Sequence, residues 1–264
     1  MREREREREG GGERAYLPSF FSFKQAKDLV RIGRQGDGGY LVSMSDIEKT
    51  NILISFGIAD DWSFESDFAK YNDIEVIAYD ASLNFRFLLK RMIIENIKNP
   101  LNFNSIKKIF SYKKFFKGKR KHFEKYVGLN TSNEMYCTFL EALNEANNKK
   151  IFLKIDIEGS EYRFLDDIVA NEEKITGIVI ELHDCDIHLS QIERFVKNLN
   201  KRGLYLVHIH ANNYAPIRLD DGLPLVLELT FSRHAKFSNF FKLPHKLDMP
   251  NDKNSFDYDL LIRD

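Results

Sequence analysis

Residues 151 to 165, IFLKIDIEGSEYRFL, constrain the fold more than any other stretch, because their apolar period changes in mid-run. Ile151, Phe152, Leu153, Ile155 and Ile157 read as a buried strand, whereas from Gly159 onward Tyr162, Phe164, Leu165 and Ile168 recur at helical spacing. A chain that makes this change repeatedly builds a parallel sheet covered on both faces. Three carboxylates, Asp156, Glu158 and Glu161, stand at the seam. Burying an unpaired charge there is costly, so something at that edge should need them.

The alternation recurs along the chain. Strands are expected at 51–56, 74–79, 126–129, 151–157, 175–182, 204–210 and 225–231. One intervening helix is expected to open at Thr131 with Glu134 as a capping box. Another opens at Ser190 with Glu193, carries Ile192, Phe195, Val196 and Leu199 inward, and stops at Gly203. Between the last two strands lies only ANNYAPIRLDDGLP, whose turn residues suit a reversing loop, so the final strand should run antiparallel. The expected fold is therefore α/β, with seven mostly parallel strands, the last antiparallel, and helices on both faces.

At 264 residues and 43% hydrophobic content the chain can bury a large core, which favours a single domain over residues 15–264. Residues 1–14, MREREREREGGGER, offer nothing apolar to pack after Met1 and read as a disordered low-complexity tail. The formal net charge is zero, but its distribution is uneven: residues 85–125 hold 13 Lys or Arg against Glu95 and Glu124, interleaved with aromatic residues. This basic aromatic stretch reads as an insertion, a helical pair with a small apolar core of its own. No apolar run is long enough to span a membrane and the N-terminus lacks a signal core, so a cytoplasmic location is expected. Cys137 and Cys185 are too few for a disulfide framework and read as buried reduced thiols.

In an open parallel sheet, ligands bind outside the carboxyl ends of the strands. At those ends the sequence places Gly57, Asp80, Asp156 with Glu158, His183 with Asp184, and His208, His210 and Asn212. A glycine after the first strand and an acid after the second form the minimal nucleoside signature of such sheets, the acid accepting from ribose hydroxyls. Neither GxGxxG nor GxxxxGK[ST] occurs, so a dinucleotide or a triphosphate cradle is not indicated. GDGGY, residues 36–40, reads as a tight turn requiring positive φ, with Asp37 and Arg34 placed to close over a ligand. The plainest role for Asp156 and Glu158 is to accept from backbone N–H groups opening the next helix.

FLKIDIEGSE resembles the fourth-strand motif of the FkbM-type S-adenosylmethionine-dependent methyltransferases, and RIGRQGDGGYLV, ISFGIADDWSFESDF, IAYDAS, IELHD, HIHANNY and LDMPND fit the same resemblance. It spans nearly the whole chain from about residue 20. It implies a Rossmann-like class I methyltransferase sheet and S-adenosyl-L-methionine as cofactor. Gly57 and Ile58 would face the methionine moiety, Asp80 the ribose, and Asp156 the transferred methyl group. The family loop DxGANxG appears here as SFGIADD, with Ser55 in place of the opening acid, so Asp60, Asp61 or Glu65 would compensate.

The sulfonium methyl is already activated, so the enzyme has mainly to align the reacting atoms and remove a proton. His183 is the first candidate base, with His210 sharing a strand face with His208. Asp156, Glu181 and Asp184, with His183, form a candidate set for a divalent cation, although a metal is not the favoured reading. Family tendency implies a sugar hydroxyl of a carbohydrate, nucleotide-sugar or glycoconjugate precursor as acceptor. The basic insertion would attract its phosphate; nucleic acid finds no recognised motif. Two rival readings are a metal-dependent hydrolase built on His183, His208 and His210, and a non-catalytic Rossmann-like module binding an anionic partner.

Overall fold

The computed structural model describes residues 12–98, 104–238 and 242–263. Most of the charged tail and residues 99–103 of the basic stretch lie outside the described residues. The strands are β1 (Arg14–Pro18), β2 (Leu29–Gly33), β3 (Gly39–Ser43), β4 (Ile52–Phe56), β5 (Glu75–Tyr79), β6 (Arg120–Phe123), β7 (Tyr126–Val127), β8 (Tyr136–Cys137), β9 (Ile151–Ile155), β10 (Ile175–Leu182), β11 (Tyr205–Ala211), β12 (Leu227–Ser232) and β13 (Asp259–Arg263). The helices are α1 (Met44–Lys49), α2 (Ser63–Tyr71), α3 (Phe85–Lys98), α4 (Asn104–Phe115), α5 (Phe139–Asn144), α6 (Leu165–Ala170) and α7 (Cys185–Lys201).

Seven strands form one sheet in the order β11-β12-β10-β9-β4-β5-β6. β12 runs antiparallel to both neighbours, and the remaining pairs are parallel. Counted along the chain within the sheet, the order is 3-2-1-4-5-7-6: a doubly wound 3-2-1-4-5-6 sheet with an antiparallel strand inserted between the fifth and sixth. This is the Rossmann-like class I methyltransferase sheet that the resemblance implies, and its antiparallel strand is the one expected from the turn residues before it.

Side chains alternate between its two faces. Ile52, Ile54 and Phe56 of β4, with Ile151, Leu153 and Ile155 of β9, pack against Phe139 of α5, Ile168 of α6 and Phe195 of α7. Leu53, Val76 and Phe152 point the other way, onto Phe64 and Phe68 of α2 and Leu88 of α3. Over β10, β12 and β11 that second face is polar. Glu181, Glu228, Thr230, Ser232, His208 and His210 lie there, buried; Glu228 is in register with both Glu181 and His210, and Thr230 with His208, while apolar residues between them point to the helix-covered face. The β2–β3 hairpin and the C-terminal segment cover this half, whereas helices cover the other.

Three expected elements are placed differently. The third sheet strand is β6, within the basic stretch, while residues 126–127 pair with β8 in a short separate ladder. β6 is Arg-Lys-His-Phe, half-buried at the sheet's edge, so its single-sided burial gave no continuous apolar run to read. The helix expected at Thr131 opens instead at Thr138, where Glu141 completes a capping box by bonding back to the Thr138 backbone. The next helix begins at Cys185 rather than Ser190, its Asp184 cap adopting a left-handed conformation. Ile192, Phe195, Val196 and Leu199 are buried as expected, and Gly203 takes the positive φ that ends the helix. Among the described residues, no helix is long and apolar enough to cross a membrane.

Candidate functional site

A cleft of about 580 Å³ opens where β4, β5 and β9 end, and Gly57, Ile58, Asp80, Asp156 and Glu158 all line it. Gly57 is there for a steric reason. With φ at +76°, a Cβ on this residue would lie 1.7 Å from the Asp156 carbonyl oxygen, so the ends of β4 and β9 can meet only at a glycine. Ala59 and Glu158, also lining the cleft, hold positive φ without being glycine, a strain that tends to gather at functional sites.

Asp80 organises the loops around the cleft. One oxygen accepts from the Ile58 and Ala59 backbone N–H groups, at 3.0 and 2.7 Å. The other accepts from the backbone N–H and hydroxyl of Ser82, at 2.7 and 2.6 Å, and from the Leu83 backbone at 3.3 Å. Burial opposes its charge, but these donors outweigh burial and hold Asp80 below the ordinary carboxylate value. A carboxylate has about four lone-pair sites, so a ribose reaching Asp80 must displace or share a loop donor. Ser82, which also lines the cleft, offers a hydroxyl beside it.

The seam carboxylates divide the work among themselves. Glu161, fully buried, folds back to accept from the backbone N–H groups of Ile157 and Gly159, at 3.1 and 3.3 Å, and to meet His183 Nδ1 at 3.1 Å. The backbone-accepting role expected of Asp156 and Glu158 thus falls to Glu161. Asp156 instead faces the cleft, 3.6 Å from Lys154 Nζ and 3.1 Å from the Tyr40 hydroxyl. That hydroxyl also lies 3.1 Å from Glu181 and bridges the two carboxyl groups. Lys154 donates to the Gly57 carbonyl, and although burial works against its charge, Asp156, Glu65 and Glu181 hold its pKa above the ordinary lysine value.

Sequence reasoning missed Lys154, Tyr40 and Glu228. For Lys154 and Glu228 the signal was present in Leu-Lys-Ile and Leu-Glu-Leu, each a single charge with apolar neighbours inside a strand, whereas Tyr40 carries no such signal.

The other expected residues separate. Asp37 lines the cleft and accepts from Asn251 at 3.3 Å, and burial pushes its pKa up. Asp60 also lines it but is ion-paired to Arg91 and Lys108; burial opposes its charge, yet the two cations hold its pKa down. Glu65 does not line the cleft. It is buried on α2 and accepts from Ser55 at 2.5 Å, so the helix supplies an acid beside the position where the family loop has one.

His183 stands beside the cleft rather than on its wall. Its Nε2 lies 3.4 Å from Glu158 and 3.7 Å from Glu181. Burial disfavours its charge, but Glu161, Glu181 and Glu158 raise its pKa to about 9, while burial moves Glu181 upward as well.

His210 is no base. Buried between Glu228, 3.1 Å from Nδ1, and Asp257, 3.0 Å from Nε2, it has both ring nitrogens engaged and is held as an imidazolium well above its ordinary pKa despite burial. His208 does share its face, with its Nε2 2.9 Å from an Asp248 oxygen. β12 separates β11 from β10, so His183 does not join His208 and His210, and the three-histidine centre is not formed. The cation set differs too. Asp156, Glu158 and His183 bring donor atoms within 4.8 Å of one another, whereas Glu181 is occupied by Tyr40 and Asn212 and Asp184 stands outside the group. Lys154 already balances Asp156 there.

No protein-family model matches the chain, and no curated protein matches it. Among solved structures, it is similar to PH1948 from Pyrococcus horikoshii, at 14% identity over 72% of this chain and 78% of that one, with a TM-score of 0.37. It is also similar to an O-methyltransferase family protein from Burkholderia thailandensis, at 8% identity over 72% and 53%, TM-score 0.34. A third is the 23S rRNA methyltransferase ErmE, at 7% identity over 74% and 68%, TM-score 0.34. Likenesses this distant assign no activity, and the reading of the cleft rests on its own residues.

Proposed function

We propose that the chain is an S-adenosyl-L-methionine-dependent O-methyltransferase of the FkbM type, with residues 15–264 as one domain acting in the cytoplasm on a sugar hydroxyl of a carbohydrate or glycoconjugate precursor. The observation that carries this reading is the convergence of Gly57, Asp80 and Asp156, far apart in sequence, on one cleft at the carboxyl ends of β4, β5 and β9. Its volume, about 580 Å³, is that of a small-molecule site. The FLKIDIEGSE motif supports the subfamily.

The cofactor supplies an activated methyl group. The chain supplies position: Gly57 lets the ends of β4 and β9 meet at the floor of the cleft, Asp80 fixes the loops on which ribose rests, and Asp156, steadied by Lys154 and Tyr40, faces the transfer point. His183 takes the acceptor proton at Nε2, whose neighbours are Glu158 and Glu181. With its pKa near 9, His183 is charged at neutral pH and acts as a base only once that proton has left.

Calorimetry with S-adenosylmethionine tests the reading most directly. Binding that disappears in Asp80→Ala, while the variant remains folded, is the expected result; no heat at high ligand concentration overturns it. Mass spectrometry of nucleotide-sugar pools incubated with protein and cofactor should then show a product heavier by one CH₂.

A further inference from the structure

Helix α3 carries large apolar side chains on the side turned away from the core. Leu88 is buried and Arg91 reaches back to Asp60, which fixes the inward side of the helix. At about 100° per residue, Ile97 falls half a turn from Leu88, with Ile93 and Ile94 on either side of it and Phe87 beside Ile94. Their exposures are 75% for Ile97, 54% for Ile93 and 42% for both Ile94 and Phe87. Arg86 and Lys90, both exposed, point the same way. On α4, Phe110 is 70% exposed, and Lys107 and Lys114, three and four residues away, share its stripe and are exposed.

We propose that these outward faces of α3 and α4 dock on an anionic lipid membrane, with the isoleucines and phenylalanines in the headgroup boundary and the lysines and arginine on acidic headgroups. An apolar face edged by cations is the pattern of a helix that lies on a bilayer. Two alternative occupants, and insertion across the bilayer, fit less well. A second copy would set one strongly basic stretch, 13 Lys or Arg against two Glu, against another. Nucleic acid would use planar groups for stacking, whereas three of the exposed apolar residues on α3 are isoleucine. A membrane span is not available, since no described helix is long and apolar enough. The docking does not depend on the chemistry of the cleft. Because Asp60 lines the cleft and is paired to Arg91 of α3 and Lys108 of α4, the docked helices would hold the cleft's rim at the lipid surface.

Flotation of the full chain with vesicles tests this. The protein should float with equimolar phosphatidylglycerol and phosphatidylcholine, and not with phosphatidylcholine alone. An Ile93→Ser/Ile97→Ser double variant and a Lys90→Glu/Lys107→Glu double variant should each lower partitioning by roughly tenfold or more. Circular dichroism and cofactor calorimetry on the same variants should be unchanged, which separates failure of docking from failure of the cleft. Failure to float, flotation unaffected by both double variants, or a dimer that Ile93→Ser/Ile97→Ser dissociates would each overturn the proposal.

Discussion

The two halves of the sheet both carry polar residues at or near the carboxyl edge of apolar strands, and do opposite things with them. At the ends of β4, β5 and β9 the polar groups surround open space, and Gly57, Asp80 and Asp156 line one cleft. Over β10, β12 and β11, Glu228, His208 and His210 are covered by the C-terminal segment, whose Asp248, Asn251 and Asp257 pair with them. A strand-end polar residue therefore marks a ligand edge only where nothing else in the chain covers it. Where something does, the same residue becomes part of a buried ion-pair network that holds the cover down.

Substitutions on either side of this divide should separate the two roles. The largest effect is expected from Gly57→Ala, whose Cβ would meet the Asp156 carbonyl at 1.7 Å. A loss of more than about 4 kcal/mol, measured by urea unfolding, should follow, because backbone and not a flexible side chain has to yield. A smaller loss would mean that the ends of β4 and β9 are less tightly joined.

On the covered side, His210→Ala removes the cation between Glu228 and Asp257 and should cost about 3 kcal/mol. Folded His210 keeps its proton well above the ordinary value of 6.5. Its contribution is therefore complete below that value and is lost as pH rises through the raised folded pKa, so the variant's deficit should narrow in alkaline solution. Turnover per folded molecule should not change; a fall would return His210 to the open side of the comparison.

Asp80→Asn should cost about 2 kcal/mol, since an amide nitrogen cannot accept from the loop N–H groups that the carboxylate now satisfies. Cofactor affinity should fall with it. Asp80 lies below the ordinary value of 3.8, so the wild type's advantage should be present above that pH and fade as pH drops through the lowered folded value.

The smallest expected stability effect is that of His183→Ala, about 1 kcal/mol for a partly buried side chain with carboxylate partners. Its signature is kinetic. Wild-type turnover should climb as pH rises toward about 9, where His183 gives up its proton, and the variant should lose that limb of the profile. An unchanged profile would remove His183 from the chemistry.

Much of the fold was legible because its causes are local. Near-continuous apolar runs in Ile-Leu-Ile-Ser-Phe and Ile-Phe-Leu-Lys-Ile, buried on both faces, and helical spacing in Ile192, Phe195, Val196 and Leu199, need no knowledge of distant contacts. β6 was not legible, because an edge strand of Arg-Lys-His-Phe buries little and looks like the basic stretch around it. The start of α7 was concealed because Asp184 opens it from a left-handed conformation and makes no side-chain capping bond. In the site, Gly57, Asp80 and Asp156 could be placed from their positions after strands. Tyr40, which bridges Asp156 and Glu181 across more than a hundred residues of sequence, could not.

By itself the sequence determined the alternation of strands and helices, the reversal of the last sheet strand and the edge at which polar groups gather, since each follows from local side-chain spacing, from turn residues or from what directly follows a strand. Only the tertiary structure decided which part of that edge stays open, which acid meets which cation, and which histidine stands beside the cleft's carboxylates. Those outcomes depend on where the β2–β3 hairpin and the C-terminal segment come to rest, and contacts between segments so distant in the chain leave no periodic trace in either one.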